Sequence, residues 1–161
     1  MTIKVGDRLP NATFTVMTPD GPKPKTTDEI FKGKKVVLFA VPGAFTPTCH
    51  NNHLPGFVKN AAAIKAKGID AIAVTGVNDV FVMSAWQKAS CPDGSIEFLA
   101  DGSAEFATGL GLTADLISRG LGVRSQRYAM LVEDGVVKKL NLEDAPGKAE
   151  ISSADNLLKQ I

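Results

Sequence analysis

The segment that most constrains this chain is Lys35-Val36-Val37-Leu38-Phe39-Ala40-Val41, which runs straight into Pro42-Gly43. A near-continuous apolar, β-branched run of this length describes a strand covered on both faces, as in the interior of an α/β sheet. Pro42 stops it, because proline has no N–H for a ladder and fixes φ. The next segment reads as a helix starting near Thr48. Leu54, Phe57, Val58, Ala61 and Ile64 fall on one face, and Gly68 closes the pattern. Pro55 lies inside that helix and is expected to kink it. Cys49 therefore stands in the first turn of a helix that leaves the C-terminal end of a buried strand.

The same alternation continues downstream. Ile69 to Val77 is a second buried strand, and Asn78 is the expected N-cap of a helix with Val82, Ala85, Trp86 and Ala89 on one side. Ile96 to Ala100 is a third strand, followed by a short helix through Ala104, Phe106 and Ala107. Arg127 to Leu142 reads as a β-hairpin turning at Asp134-Gly135. Ser152 or Ser153 then caps a last helix carrying Ala154, Leu157, Leu158 and Ile161 on one face. The Pro-rich stretch Pro19 to Pro24 reads as a loop or edge turn. This order predicts an α/β fold of thioredoxin-like type, a central mixed sheet flanked by helices. With 161 residues, one domain spanning about residues 3–161 is expected.

Charge excludes some functions. Eighteen Lys and Arg oppose 17 Asp and Glu for a net charge of +1, and the densest basic stretch, Lys32 to Lys35, is too short to argue for nucleic acid. Val36 to Val41 is far too short to cross a bilayer, and Met1 to Asp7 lacks the apolar run of a signal peptide. The expectation is a cytoplasmic protein with no membrane partner. Two cysteines, Cys49 and Cys91, are too few for a disulfide scaffold, so the question is whether either is reactive.

Cys49 has the right surroundings for reactivity. The first N–H groups of a helix have no backbone partners, and the helix dipole adds partial positive charge there. An ordinary thiol, with pKa about 8.5, is only a few per cent thiolate at neutral pH. At a helix N-terminus beside a cation the value can fall to roughly 3.5–7.5. Thr46 can turn its hydroxyl back into the same loop, and Pro42 and Pro47 stiffen it. Most free cysteines are small buried hydrophobes. A strand, a Pro-Gly break and a helix start flanked by Thr48 and His50 do not describe such a packing position.

Other chemistries fit less well. Cys49, His50 and His53 lack a fourth ligand for a tetrahedral metal site, so no metal is expected. A Cys–His hydrolase would need an orienting third group, which is not evident. His53 reads better as a structural hydrogen-bonding residue near the pocket. A thioredoxin-like binding module without turnover is a further alternative. A dithiol oxidoreductase is disfavoured because Thr46 stands where the first cysteine of a CxxC would be.

Pro42-Gly43-Ala44-Phe45-Thr46-Pro47-Thr48-Cys49 resembles the peroxidatic-cysteine signature of the peroxiredoxins, Pro-x-x-x-Thr-x-x-Cys. The run Val41 to Gly56, the motif Val77-Asn78-Asp79-Val80-Phe81-Val82-Met83 and the stretch Arg124 to Gly135 are similar to the type II subfamily of plants and mammalian mitochondria. The resemblance implies a thiol-dependent peroxidase for hydrogen peroxide and alkyl hydroperoxides. It implies that Cys49 attacks the O–O bond and becomes a sulfenic acid, and that Thr46 hydrogen-bonds the thiolate and the peroxide. It further implies that Pro42 shields the pocket and that Arg127 sets its guanidinium beside the sulfur. Phe45, Leu54, Phe81 and Leu121 could form an apolar collar for alkyl peroxides, though core packing explains them equally well.

The same resemblance constrains how the sulfenic acid is reduced. Where plant type II members carry a resolving cysteine this chain has Val74, and where the mitochondrial type carries one it has Ile151. Cys91 matches neither place. The expected cycle uses one cysteine and no bound cofactor. An external thiol, glutathione with glutaredoxin first and thioredoxin second, would restore it. A homodimer is expected by family analogy.

Overall fold

The computed structural model describes residues 2–161. A hairpin, β1 (Thr13–Thr18) and β2 (Gly21–Thr26), leads into α1 (Thr27–Phe31) and β3 (Lys35–Ala40). A π-helical turn (Cys49–His53) continues into α2 (Leu54–Lys65), followed by β4 (Ala71–Gly76), α3 (Val80–Ser90), β5 (Glu97–Ala100) and α4 (Glu105–Leu110). A two-stranded ribbon, β6 (Thr113–Leu116) and β7 (Gly122–Ser125), precedes β8 (Tyr128–Glu133), β9 (Val136–Leu142) and α5 (Ala154–Leu158). The main sheet has the order β2-β1-β5-β4-β3-β8-β9, with β3, β4 and β5 parallel and β8 antiparallel to β3. This is the thioredoxin-like mixed sheet that the alternation of strands and helices predicts.

The sheet separates two apolar layers. Val37, Phe39, Val74 and Ala129 face Leu54, Phe57 and Ile64 of α2 and Trp86 of α3. Val36, Leu38, Ala40 and Met130 face the other way, toward Phe14, Phe31 and Phe106. Burying a side chain the size of Leu54 or Phe57 contributes about 1.5–3 kcal/mol before entropy is counted. Because β3 feeds both layers, its uninterrupted apolar run is explained, and the end of β3 is rigidly placed.

Several local expectations are refined. The Pro-rich stretch is mostly the edge strand β2, where Pro22 and Pro24 are tolerated because only one side of an edge strand need pair. The N-cap of α3 is Asp79, whose Oδ1 accepts from Val82 N at 2.9 Å, and not Asn78. Asn78 Oδ1 instead accepts from Ala44 N at 2.9 Å and ties α3 to the loop after β3. Pro55 lies just past the π-helical turn, where Leu54 N already reaches back to Cys49 O. The widened turn precedes a proline that cannot donate to the fourth residue back, which reconciles Pro55 with a continuous helix. Asp134 and Gly135 both have positive φ, 49° and 77°, as a two-residue hairpin turn requires.

Candidate active site

The register of the sheet assembles the site. Ala40 of β3 pairs with Tyr128 of antiparallel β8, so Arg127 stands across from the point where β3 gives way to Val41 and Pro42. Side chains alternate along β8, which puts Arg127 on the side of Ala129, the layer covered by α2. Cys49, at the head of that helical segment, is fully buried in the same layer. The two meet: Arg127 Nη2 donates to Cys49 Sγ at 3.0 Å across 78 residues of sequence.

The loop between β3 and Cys49 is closely held. Thr46 Oγ1 donates to Gly43 O at 2.6 Å, and His50 N bonds Thr46 O at 2.8 Å, which opens the helical turn. The resemblance implies a bond from Thr46 to the thiolate; the structure instead commits the hydroxyl proton to Gly43 O. The lone pairs of Oγ1 remain available as acceptors. A Cβ on Gly43 would lie 3.0 Å from Thr46 Cγ2 and 3.1 Å from Arg124 Nη1, so only glycine fits without a shift. Pro42 is buried, and its carbonyl receives Arg124 Nη1 at 3.4 Å.

Arg127 is itself almost wholly buried, with 2% of its surface exposed. Nε and Nη2 donate to Pro146 O at 3.1 and 3.0 Å, and Nη1 meets His53 Nδ1 at 3.0 Å. His53 Nε2 lies 2.9 Å from Ser152 O. A carbonyl can only accept, so Nε2 carries the proton and Nδ1 accepts from the guanidinium. The ring is boxed by Phe39 and Phe57, with centroids 5.0 and 5.5 Å away. Burial first, then the Arg127 charge, lowers the His53 pKa to about 3.

That depression has a sign that can be tested. In the unfolded chain His53 takes a proton near pH 6.5, whereas in the fold it stays neutral down to about 3. Its contribution to stability is therefore complete above pH 6.5 and is lost as pH falls toward 3, at about 1.4 kcal/mol per pH unit. Chemical denaturation should show this slope in the native protein, and His53→Gln should flatten it. An unchanged slope in that variant would assign the acid sensitivity elsewhere.

Neither histidine is placed as a base for the thiol. Both ring nitrogens of His53 are engaged away from Sγ, and His50 Nδ1 accepts from Trp86 Nε1 at 3.1 Å. Cys91 ends α3, with Sγ 3.4 Å from Asp93 Oδ1 and 3.2 Å from Ser95 Oγ. A cavity of about 380 Å³ opens beside Arg127, lined by Pro42, Thr46, Thr48, Leu121 and Arg119 among others. Of the four residues considered for an apolar collar, Leu121 lines this mouth. Leu54 is core, while Phe45 and Phe81 are exposed outside it.

A buried guanidinium thus donates to a buried thiol at the C-terminal edge of a thioredoxin-like sheet. The Redoxin family model matches residues 4–158. The chloroplastic peroxiredoxin-2E-2 of Oryza sativa subsp. japonica is 52% identical over 99% of this chain and 73% of its own length. Peroxiredoxin-2B of Arabidopsis thaliana is 45% identical over 99% of this chain and 98% of its own. The chain belongs to the peroxiredoxins. Reduced Prx3 of Vibrio vulnificus, crystallised with hydrogen peroxide, superposes with a TM-score of 0.93 at 50% identity, covering 99% of each chain. This peroxiredoxin, of the plant type II kind, is a thiol-dependent peroxidase with an antioxidant function.

Sequence reasoning gave no part in the site to Arg124, Pro146, Ser152 or Glu143. It named Ser152 only as a possible cap of the last helix, a place the structure gives to Ser153, whose Oγ accepts from Asn156 N. Arg124 Nε bonds Leu121 O at 2.7 Å while its Nη1 grips the Pro42 carbonyl, so the ribbon β6–β7 braces the loop. The others act through carbonyls or from a loop without periodicity, which leaves no composition signal.

Proposed function

We propose that Cys49 alone carries the redox cycle of this peroxidase and that an external thiol regenerates it. The observation behind this reading is the 3.0 Å contact from Arg127 Nη2 to Cys49 Sγ, with every N–H of Nε and Nη2 committed. That leaves an N–H of Nη1 free to meet peroxide, and the Thr46 oxygen free to accept from it. The thiolate attacks one peroxide oxygen, an S–O bond forms, the O–O bond breaks, and the leaving oxygen takes a proton. The products are Cys49 sulfenic acid and water or an alcohol. Donors aimed at the charge moving along S···O···O stabilise the transition state more than the ground state. Pro42, buried beside the cavity, keeps bulk water from the sulfur.

A first glutathione then forms a mixed disulfide with Cys49 and releases water; a second, or glutaredoxin, returns the thiol. Thioredoxin is the second candidate reductant. Val74 is buried within β4, and Ile151 is an exposed aliphatic residue, so neither place offers a resolving thiol. Cys91→Ser should keep near-full turnover with glutathione. Mass spectrometry after peroxide should show Cys49 sulfenic acid, or its glutathione adduct when that thiol is present. A Cys49–Cys91 bridge as the main product would overturn the one-cysteine cycle. The protein would work in the cytoplasm as a homodimer. Exposed Phe45 and Phe81 offer it apolar surface, and a monomer in ultracentrifugation would refute that assembly.

A further inference from the structure

We propose that Glu143 is a positioning residue for peroxide reduction, because its carboxylate closes the strap two of whose carbonyls orient Arg127 and His53. Glu143 follows β9, and only 6% of its surface is exposed. Its Oε2 accepts from Ser152 N at 2.6 Å and from Ser152 Oγ at 2.7 Å. One oxygen thus joins the two ends of the segment from Glu143 to Ser152. The segment has no regular structure of its own to hold it.

Two of the strap's carbonyls act on Arg127 and His53. Pro146 O receives Nε and Nη2 of Arg127, and Ser152 O receives the Nε2 proton of His53. The second contact fixes the histidine tautomer, so that a lone pair rather than an N–H faces Arg127 Nη1. Gly147 O accepts from Thr48 Oγ1 at 3.0 Å, pinning the strap next to Cys49 itself. Glu143 also touches Arg127 directly, since its backbone N bonds Arg127 O at 3.0 Å. Released from Glu143, Ser152 would carry its carbonyl away, the imidazole could exchange tautomer, and a donor would then oppose a donor.

Packing does not explain this residue. A buried carboxylate is costly unless it is well bonded, and Glu143 Oε1 has no partner among the described residues. An apolar side chain would fill the space without that cost, but it could not hold both Ser152 donors.

The inference rests on Arg127 acting on Cys49, and the experiment separates the two. Peroxide consumption per folded molecule and the pH at which the Cys49 thiolate absorbance appears are measured in native, Arg127→Ala, Glu143→Ala, Glu143→Gln and Glu143→Met proteins. Glu143→Ala should slow peroxide attack by up to about a hundredfold, as a displacement of roughly an ångström at a catalytic group can. Its thiolate should also appear at higher pH. Glu143→Gln, which keeps an oxygen where Oε2 stands, should recover most of both. Exposed Glu150, changed to alanine, should behave as native. If Arg127→Ala is impaired while Glu143→Ala titrates and reacts as native, the positioning role falls and the Arg127 reading stands. If Arg127→Ala is itself native-like, both fall. Should Glu143→Ala fail to fold, Glu143→Met, which fills the space but leaves both Ser152 donors without their carboxylate, decides: a raised thiol titration supports the role, and an unchanged one overturns it.

Discussion

Replacing Cys49 with serine is expected to abolish peroxide reduction while leaving the fold in place. The side chain is fully buried, so a substituent of nearly the same shape can occupy the site and still accept from Arg127 Nη2. What it cannot do is ionise. A serine hydroxyl at neutral pH is a poor nucleophile without a base; both ring nitrogens of His53 are committed to Arg127 and Ser152 O, and His50 Nδ1 accepts from Trp86 Nε1. Circular dichroism and thermal melting should match the native protein. Steady peroxidase activity above a few per cent of native would sink the assignment of Cys49 as the nucleophile.

The second large effect is expected at Arg127. Removing a preorganised donor from such a site commonly costs about 2.7–4 kcal/mol, or roughly 10²–10³ in rate. Arg127→Ala should show that loss in the second-order rate with hydrogen peroxide, and the Cys49 thiolate should form only at higher pH. Arg127→Lys should recover only part. An ammonium keeps the charge, but it lacks the planar fork that reaches Pro146 O, His53 Nδ1 and Cys49 Sγ together. Both variants also strand buried acceptors at about 1–3 kcal/mol each, so rates must be compared at a temperature where each variant is folded. An alanine variant with native rate and native thiol titration would show that the close contact has no catalytic consequence.

Much of the scaffold was legible because it obeys short-range rules. The apolar run into Pro42-Gly43 marked β3 and its end, and Asp134-Gly135 marked the hairpin, each through a constraint carried by two or three adjacent residues. Asn78 and Asp79 show the limit of such rules. Either can cap a helix, and the choice was settled by Ala44 N, a partner 34 residues away. The same distinction separates the parts of the site. Cys49, Pro42 and Thr46 share one loop and could be read together. Arg127 could be placed only through a family pattern, because strand register brings it to the sulfur. The ribbon β6–β7 was missed, its strands being four residues long and without clear alternation. Pro146 and Ser152 act through their carbonyls, which every residue possesses, so nothing in the identity of those side chains announces the contact.

The complete burial of the sulfur sets the two halves of the cycle on different clocks. Hydrogen peroxide is scarcely larger than water and needs only side-chain breathing to reach Cys49. A tripeptide thiol, or a cysteine on another protein, needs the helical turn and the strap to part. Capture of a small oxidant and recycling by a bulky thiol thus make opposite demands on one closed site. While it stays closed, the sulfenic acid is shielded from bulky thiols but not from a second peroxide, which would carry it to the sulfinic acid. Loosening the turn would shorten that exposure at the expense of the ordered donors that make the first step fast. The rigidity of this active site is thus a compromise between speed of attack and survival of the attacker.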